Sequence, residues 1–328
     1  MPASRPSKRP ATARGAALAC GMLVCAVHAQ DYPSRPVRLV IAIAPGGGTD
    51  ILARQMARKL GETFGQQVIV DNRPGGGTVI GTDFVAKSAS DGYTLLMQIN
   101  ALAANHTLVA KLPYDTLKDF APVVLIASTP NVLVVHPSLP VKSVKEFVAL
   151  ARAKPGEIAY ASSGHGGAAF LATELLKMKA GIAMLHVPYK GTIPALTAML
   201  SGEAQCMVAS LPGTIPYIQS RRVRALGITS ARRAPASPGI PTMIEAGIAD
   251  YEFATWYGLF APGRTPRDVV AKLNTAVNNN LKQTDMRAQL ARDGLDPVGG
   301  TVESFEDYFR GEVEKLRQVI RASGAKIE

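Results

Sequence analysis

Glycines that directly follow short apolar runs are the residues best placed to bind a ligand. Three glycine-dense segments each precede a helical pattern: loop 1 (residues 44–50, APGGGTD), loop 2 (residues 72–78, NRPGGGT) and loop 3 (residues 162–167, SSGHGG). Glycine adopts positive φ and lets a ligand approach bare backbone. The first turn of a helix adds unpaired N–H groups and a partial positive charge. Three such loops predict an anion site, although each alone could be only a tight turn.

Loop 3 also bears on the kind of anion. Gly164, His165, Gly166 and Ala169 fit the pattern G-x-G-x-x-A of dinucleotide-binding proteins. That fingerprint requires an acidic residue about 20 positions further on, and residues 184–191 contain none. The phosphate-loop pattern G-x-x-x-x-G-K-[ST] does not occur in the sequence. These absences argue against a nucleotide phosphate as the anion, and a dinucleotide-dependent enzyme is kept as the alternative.

Side chains that could make or break bonds are few. The sequence has no G-x-S-x-G elbow, no H-E-x-x-H and no Cys/His cluster with metal-ligand spacing. His165 is a candidate ligand contact because it lies inside a glycine loop, whereas His106 is expected in a loop and His136 and His186 at strand ends. Asp50 is expected to complement a helix dipole and not to contact an anion. We therefore predict a binding protein without catalysis, cofactor or metal.

Strand and helix patterns alternate along the chain, which predicts an α/β fold with mostly parallel sheets flanked by helices. Predicted strands are residues 37–43, 67–70, 94–99, 123–127, 132–136, 158–162, 184–187, 205–209, 223–229 and 253–261. Predicted helices are residues 50–65, 79–88, one opened by a Ser143–Glu146 capping box, 168–178, 194–200, 266–283, 285–292 and 302–323. Two such sets with a closing return predict a first lobe of residues 30–130 plus 251–328 and an inserted second lobe of residues 131–250.

Residues 1–29 have the composition of a secretory signal peptide. A basic segment precedes about a dozen apolar residues, and Val27, His28 and Ala29 resemble an A-x-A cleavage site. We expect cleavage after Ala29 and a periplasmic location. Cys206 is then the single cysteine left, and its apolar neighbours predict a buried thiol.

The formal net charge is +11, and the four basic residues of the N-terminal segment account for part of it, leaving +7. The remaining basic residues are scattered and are not interleaved with aromatic ones. This pattern indicates a solvated surface and argues against nucleic acid as a partner.

Five ordered motifs give the chain a specific resemblance that runs from about Tyr32 to its end. They are residues 45–54, 72–81, 160–164, 186–195 and 256–266, which include PGG, NRPG, YASSG, HVPYKG and WYGL. In this order and spacing they resemble the Bug family, the substrate-binding receptors of tripartite tricarboxylate transporters. Gly48 and the pair Gly77 and Thr78 depart from what is common in that family, which leaves the size and class of the ligand open.

The resemblance implies a monomeric two-lobed periplasmic-binding-protein-like (type II) fold that closes on a small carboxylate and serves membrane permease subunits. In the first lobe it implies ligand contacts from Gly46, Gly47, Thr49, Gly76, Gly77, Thr78 and Asn100. In the second lobe it implies contacts from Ser163, His165, Gly166, Tyr189 and Ser210. Use of the same receptor in signalling, without a dedicated permease, is a further alternative.

Overall fold

The strands and helices of this computed structural model are described for residues 1–3, 32–189 and 191–326. The strands are β1 (Val37–Ile41), β2 (Val68–Asn72), β3 (Thr94–Gln98), β4 (Phe120–Val135), β5 (Ala159–Ser162), β6 (Leu185–Pro188), β7 (Cys206–Ser210), β8 (Arg224–Ile228), β9 (Ala254–Pro262) and β10 (Asp296–Pro297). The helices are α1 (Gly48–Phe64), α2 (Val79–Ala86), α3 (Ala101–Leu108), α4 (Val144–Ala153), α5 (Ala168–Ala180), α6 (Thr192–Leu200), α7 (Leu211–Gln219), α8 (Arg267–Lys282), α9 (Thr284–Arg292) and α10 (Val302–Ser323).

Two sheet regions share the long strand β4. In the first, the order is β2-β1-β3-β9-β4, and β10 pairs with the other edge of β4. In the second, the order is β6-β5-β7-β4-β8. Residues 120–130 of β4 pair with β9, and residues 131–135 pair with β7 and β8. One strand therefore contributes to both halves of the sheet.

The prediction of two separate strands at residues 123–127 and 132–136 is wrong, because β4 is continuous through both. The intervening Thr129, Pro130 and Asn131 resemble a turn in sequence. In the structure, Thr129 Oγ1 donates to Gly294 O over 2.9 Å, and the Asn131 N–H donates to Thr229 Oγ1 over 2.8 Å. These partners satisfy polar groups that the sequence pattern alone assigned to a loop.

Helices α3 and α7 were not predicted, and the expected loop position of His106 is wrong because His106 lies in α3. The α7 sequence contains Pro212, Gly213 and Pro216, which is typical of loops. Pro212 lies in the first turn, where a missing N–H costs nothing. The N-cap of α3 is Asn100, and its side chain forms no capping hydrogen bond.

The capping box of α4 forms, with one difference from the prediction. Ser143 Oγ accepts from the Glu146 N–H over 3.1 Å, as expected. The Glu146 carboxylate, however, accepts from the Lys142 N–H over 2.7 Å, one residue before the position that a capping box predicts. The start of α4 is satisfied by both interactions.

The hydrophobic core is continuous from one part of the sheet to the other. One cluster runs from Val40 and Leu96 to Phe147, Tyr160 and Phe170. Helix α10 lies across it and packs against both α3 and α5. Cys206 is wholly buried, as predicted.

The fold-class prediction is confirmed: the chain has a mixed α/β fold with helices flanking the sheet. The lobe boundaries near residues 130 and 250 stay predictions. The signal-peptide prediction falls almost entirely on residues 4–31, outside the described residues. Among the helices of the described residues, none has the length and apolar character needed to cross a membrane.

Candidate functional site

Loops 1 and 2 lie side by side because their strands are parallel neighbours. Ile41 at the end of β1 is in register with Asn72 at the end of β2, and the Arg73 N–H donates to Ile41 O over 2.8 Å. Where α2 begins, a Cβ on Gly81 would lie 2.6 Å from Arg73 O and 2.9 Å from Ala42 Cβ. A glycine at position 81 is therefore what permits this close approach.

Asp50 ties these two loops together. Its Oδ2 accepts from the Gly46 N–H and from Arg54 Nε, and its Oδ1 accepts from Arg54 Nη2 and Asn72 Nδ2, all over 3.0 Å. The hydrogen bonds from Arg54, with smaller contributions from Gly46 and Asn72, lower the pKa of the Asp50 carboxyl to about 2. Both oxygens are occupied within the protein, so Asp50 shapes loop 1 and does not reach a ligand.

The first turn of α1 offers donors that face open space. Gly47 is the N-cap and has no side chain to cap the helix, and the intrahelical ladder begins with the Ile51 N–H donating to Gly47 O. A Cβ on Gly46 or Gly47 would meet no atom within 4 Å. Thr49 is 7% exposed, and its hydroxyl forms no hydrogen bond with the described residues. This is the arrangement that binds an anion at a helix N-terminus.

Loop 2 turns sharply through Gly76, Gly77 and Thr78, whose φ values are 55°, 60° and 79°. Thr78 has a side chain in a region that favours glycine. Asn105 of α3 holds this turn in place: its Nδ2 donates to Gly77 O over 2.9 Å and to Thr78 Oγ1 over 3.2 Å. The Gly77 carbonyl oxygen therefore accepts a hydrogen bond from within the protein.

Loop 3 reaches the same asparagine from the other part of the sheet. A Cβ on Gly166, which has φ of 79°, would lie 3.7 Å from Asn105 Oδ1 and 3.0 Å from Leu108 Cδ2. Ser163 Oγ lies 2.5 Å from where a Cβ of Gly167 would be. Asn105 thus touches loops 2 and 3 together.

His165 is exposed at the tip of loop 3, with its ring edge-on to Phe170 and to His186. Behind it, His186 Nε2 lies 2.6 Å from Ser162 Oγ, and the ring of His186 stacks on Tyr160. Burial, with repulsion from His165 and Lys177, lowers the pKa of His186 to about 4. A neutral His186 supports loop 3, while His165 is free to meet a ligand.

Tyr189 follows the end of β6 and Ser210 is the last residue of β7, at the same edge as loop 3 because β5, β6 and β7 are parallel. The Tyr189 N–H donates to Ser162 O, and its hydroxyl donates to Glu203 Oε1 over 2.9 Å. Ser210 precedes α7 and is half-buried. Both residues lie at the edge that carries the other predicted contacts.

Asn100 differs from these residues, because its side chain is buried and forms its hydrogen bonds within the protein. It is 1% exposed. Its Nδ2 donates to Ala254 O over 3.0 Å, and its Oδ1 accepts from the Trp256 N–H over 3.3 Å. Glu312 of α10 accepts from Trp256 Nε1 in the same cluster. The side chain of Asn100 therefore stabilises the junction of β3, β9 and α10.

Sequence reasoning missed two residues at this edge, Asn105 and Tyr257. A Cβ on Gly48 would lie 3.6 Å from the Tyr257 hydroxyl, which forms no hydrogen bond with the described residues. Burial raises the pKa of Tyr257 to about 12. Asn105 lies outside the five motifs, and Tyr257 lies within WYGL, a motif from which no binding role was predicted for it.

Two surface depressions lie elsewhere. One, of about 400 Å³, lies between α1 and α8 at Phe64 and Ala271. The other, of about 540 Å³, lies beside α9 and β10. Neither is lined by a residue of loops 1, 2 or 3. Within the described ranges, no group of three or more His, Cys, Asp or Glu residues could hold a metal ion.

Comparison with known proteins assigns the chain to a family. Residues 52–325 match the family described as tripartite tricarboxylate transporter family receptor. The chain is 36% identical over 316 residues to the protein BugT of Bordetella pertussis, covering 96% of this chain and 97% of BugT.

Solved structures agree as well. An R. palustris protein solved with adipate has a TM-score of 0.81 and 36% identity, covering 90% of this chain and 100% of its own. MatC from Rhodopseudomonas palustris with bound malate has a TM-score of 0.78 and 31% identity, covering 88% of this chain and 100% of its own. The chain belongs to the tripartite tricarboxylate transporter receptor family, whose members include the Bug proteins.

Proposed function

We propose that this protein is an exported periplasmic receptor that captures a small carboxylate and delivers it to the membrane permease subunits of a tripartite tricarboxylate transporter. The observation that carries the proposal is the first turn of α1. The N–H groups of Gly48, Thr49 and Asp50 follow Gly47, whose Cβ position is open, and the Thr49 hydroxyl has no hydrogen-bond partner among the described residues. A carboxylate that accepts charge-assisted hydrogen bonds there gains about 1.5–3 kcal/mol from each.

The two ends of the ligand have separate sites in this proposal. One carboxylate binds at Gly46, Gly47 and Thr49 of loop 1 and at the glycines of loop 2. The distal end meets Ser163, His165 and Gly166 of loop 3, with Tyr189 and Ser210 beside them. Adipate and malate, which are bound in the two R. palustris structures, are both dicarboxylates, which supports a ligand with two polar ends.

Capture works by closure of two lobes, residues 30–130 with 251–328 and residues 131–250. The change of sheet partner at Pro130 and Asn131 of β4 and the return of the chain at Ala254 support these boundaries. A ligand that touches both lobes stabilises the closed form, which the permease then recognises. The function requires no bond-making step and no cofactor, and the receptor acts as a monomer after removal of residues 1–29.

The site is tested by replacing Gly76 with valine. Gly76 has φ of 55°, and a β-branched side chain there is strained and intrudes on the backbone that the carboxylate would approach. We expect binding of the best ligand from a thermal-shift screen of small carboxylates to be abolished in calorimetry. In that screen, a ligand at 100 times its Kd should stabilise the wild type by about 2.7 kcal/mol.

Gly156→Val is the matched control, because Gly156 also has positive φ, at 78°, but lies in the turn before β5 with no atom within 4 Å of its Cβ position. The Gly156→Val variant should have similar backbone strain and should bind the ligand with wild-type affinity. Equal affinity of Gly76→Val and wild type would count against the site.

A further inference from the structure

The hydroxyl of Tyr257 lies beside the start of α1 and has no hydrogen-bond partner among the described residues. The ring is 7% exposed and packs in an apolar cluster with residues of β1, β3 and β9. Its oxygen lies 3.6 Å from where a Cβ of Gly48 would be. It forms no hydrogen bond with the described residues, yet it is not among the wholly buried unsatisfied oxygens. The hydroxyl is therefore not fully buried, and it lies beside the first turn of α1.

A second group at the same turn has the same character. Thr49 is also 7% exposed, and its hydroxyl has no hydrogen-bond partner in the described ranges and is not fully buried. The N–H groups of Gly48, Thr49 and Asp50 precede the first intrahelical bond, in which Ile51 donates to Gly47 O. Two hydroxyls and three amides thus lie at the start of α1 without an acceptor in the part of the chain that the structure describes.

A largely buried hydroxyl without a hydrogen-bond partner destabilises the folded protein, so phenylalanine would be the more stable residue at position 257 if nothing accepted this hydrogen bond. Gly48 is the reason that the hydroxyl stays open. A methyl group at position 48 would be in van der Waals contact with the Tyr257 oxygen and would cover it.

We infer that the Tyr257 hydroxyl donates a hydrogen bond to an oxygen of the carboxylate held at loop 1, and that Gly48 controls access to this donor. This assignment rests on the proposed function and adds a ligand contact from β9, outside the glycine loops. Because burial raises the pKa of Tyr257 to about 12, the phenol remains a donor throughout the neutral range.

The test measures binding of succinate, malate and adipate by calorimetry, and the melting temperature without ligand, for wild type and Tyr257→Phe. We expect Tyr257→Phe to bind about ten- to a hundredfold more weakly, the loss of one hydrogen bond to a charged group. Its melting temperature without ligand should be equal to or above that of wild type. Tyr217→Phe, which removes a half-buried hydroxyl from α7, is the control and should change neither quantity.

The access role of Gly48 is tested by a double-mutant cycle with Gly48→Ala. The single variant should weaken binding, and in the Tyr257→Phe background it should cause little further loss, because the group it covers is already gone. Additive losses would overturn the role of Gly48.

The remaining outcomes distinguish failure of the Tyr257 assignment from failure of the proposed function. Wild-type affinity in Tyr257→Phe, or a melting temperature without ligand several degrees lower, would overturn the Tyr257 assignment and leave the proposed function standing. Wild type that binds none of the three acids would contradict the proposed function, and the assignment would fail with it.

Discussion

At the scale of single residues, the polar groups of loops 1 and 2 divide into those that shape the loops and those left open. Asp50 has four hydrogen bonds within the protein, whereas the hydroxyl of Thr49, one residue earlier, has none. Spacing in the sequence identifies both as residues of a helix start. It does not reveal that Asn72, from the next strand, completes the environment of Asp50, because that contact depends on the pairing of β1 with β2.

Acid should weaken the fold through Asp50. Its pKa in the folded protein is about 2, below the ordinary value of 3.8, so its contribution to stability is fully present above pH 3.8 and is lost as the pH falls through about 2. We expect Asp50→Asn to be less stable than wild type at pH 7 and the difference to shrink between pH 4 and pH 2. Urea unfolding at several pH values measures this difference.

Arg54→Ala, which removes the largest cause of the lowered pKa, should reproduce that pH dependence. A difference between Asp50→Asn and wild type that stays constant from pH 7 to pH 2 would show that the Asp50–Arg54 pair is not what stabilises loop 1.

At the scale of elements, local patterns located most strands and helices, and α10 begins and ends where they predict. Thr301 caps it by accepting from the Ser304 N–H, and Gly324 ends it with φ of 70°. The failures have a common physical cause. Helix α7 and the middle of β4 are stabilised by contacts from distant segments, such as Thr229 with Asn131, and periodicity within a short window contains no information about them.

The packing of α10 on β9 requires a glycine in the strand. A Cβ on Gly258 would lie 2.3 Å from Phe305 Cζ, a clash with the buried aromatic cluster around Trp256. We expect Gly258→Ala to lower the free energy of unfolding by about 1–3 kcal/mol. Chemical denaturation measures the change.

Gly311→Ala is the control within α10, because Gly311 is exposed and its Cβ position is open. This variant should gain about 1 kcal/mol from the higher helix propensity of alanine. Equal effects of the two substitutions would mean that Phe305 can move aside at little cost.

At the scale of the whole molecule, Asn105 connects the parts that are proposed to close on the ligand. It donates to loop 2 and lies beside Gly166 of loop 3. The sequence predicted the three loops but not their meeting point, since α3 carries no signature of its own. The position of Tyr257 beside loop 1 could not be predicted for a similar reason, because β9 is distant in sequence from that loop.

Asn105→Ala should therefore impair closure. Without the amide, the Gly77 carbonyl loses its donor, and we expect binding of the screened carboxylate to weaken about tenfold. Small-angle X-ray scattering should show a smaller ligand-induced decrease in radius of gyration than in wild type.

Asn274→Ala separates this effect from a general loss of stability. Asn274 Nδ2 also donates to two carbonyls, Val123 O and Gly300 O, but away from the three loops. It should lower the melting temperature and keep wild-type affinity. An unchanged affinity in Asn105→Ala would show that loops 2 and 3 approach each other without this bridge.

Strand β4 supplies an inner strand to both halves of the sheet. Its first eleven residues pair with β9, two of them, Ala127 and Ser128, also pair with β10, and its last five residues pair with β7 and β8. Cleavage of the chain near Pro130 would remove an inner strand from one fragment or the other. The backbone N–H and C=O groups of the neighbouring strands would then lose their hydrogen-bond partners. We expect that neither fragment folds by itself. The intact protein should unfold on heating in one cooperative transition.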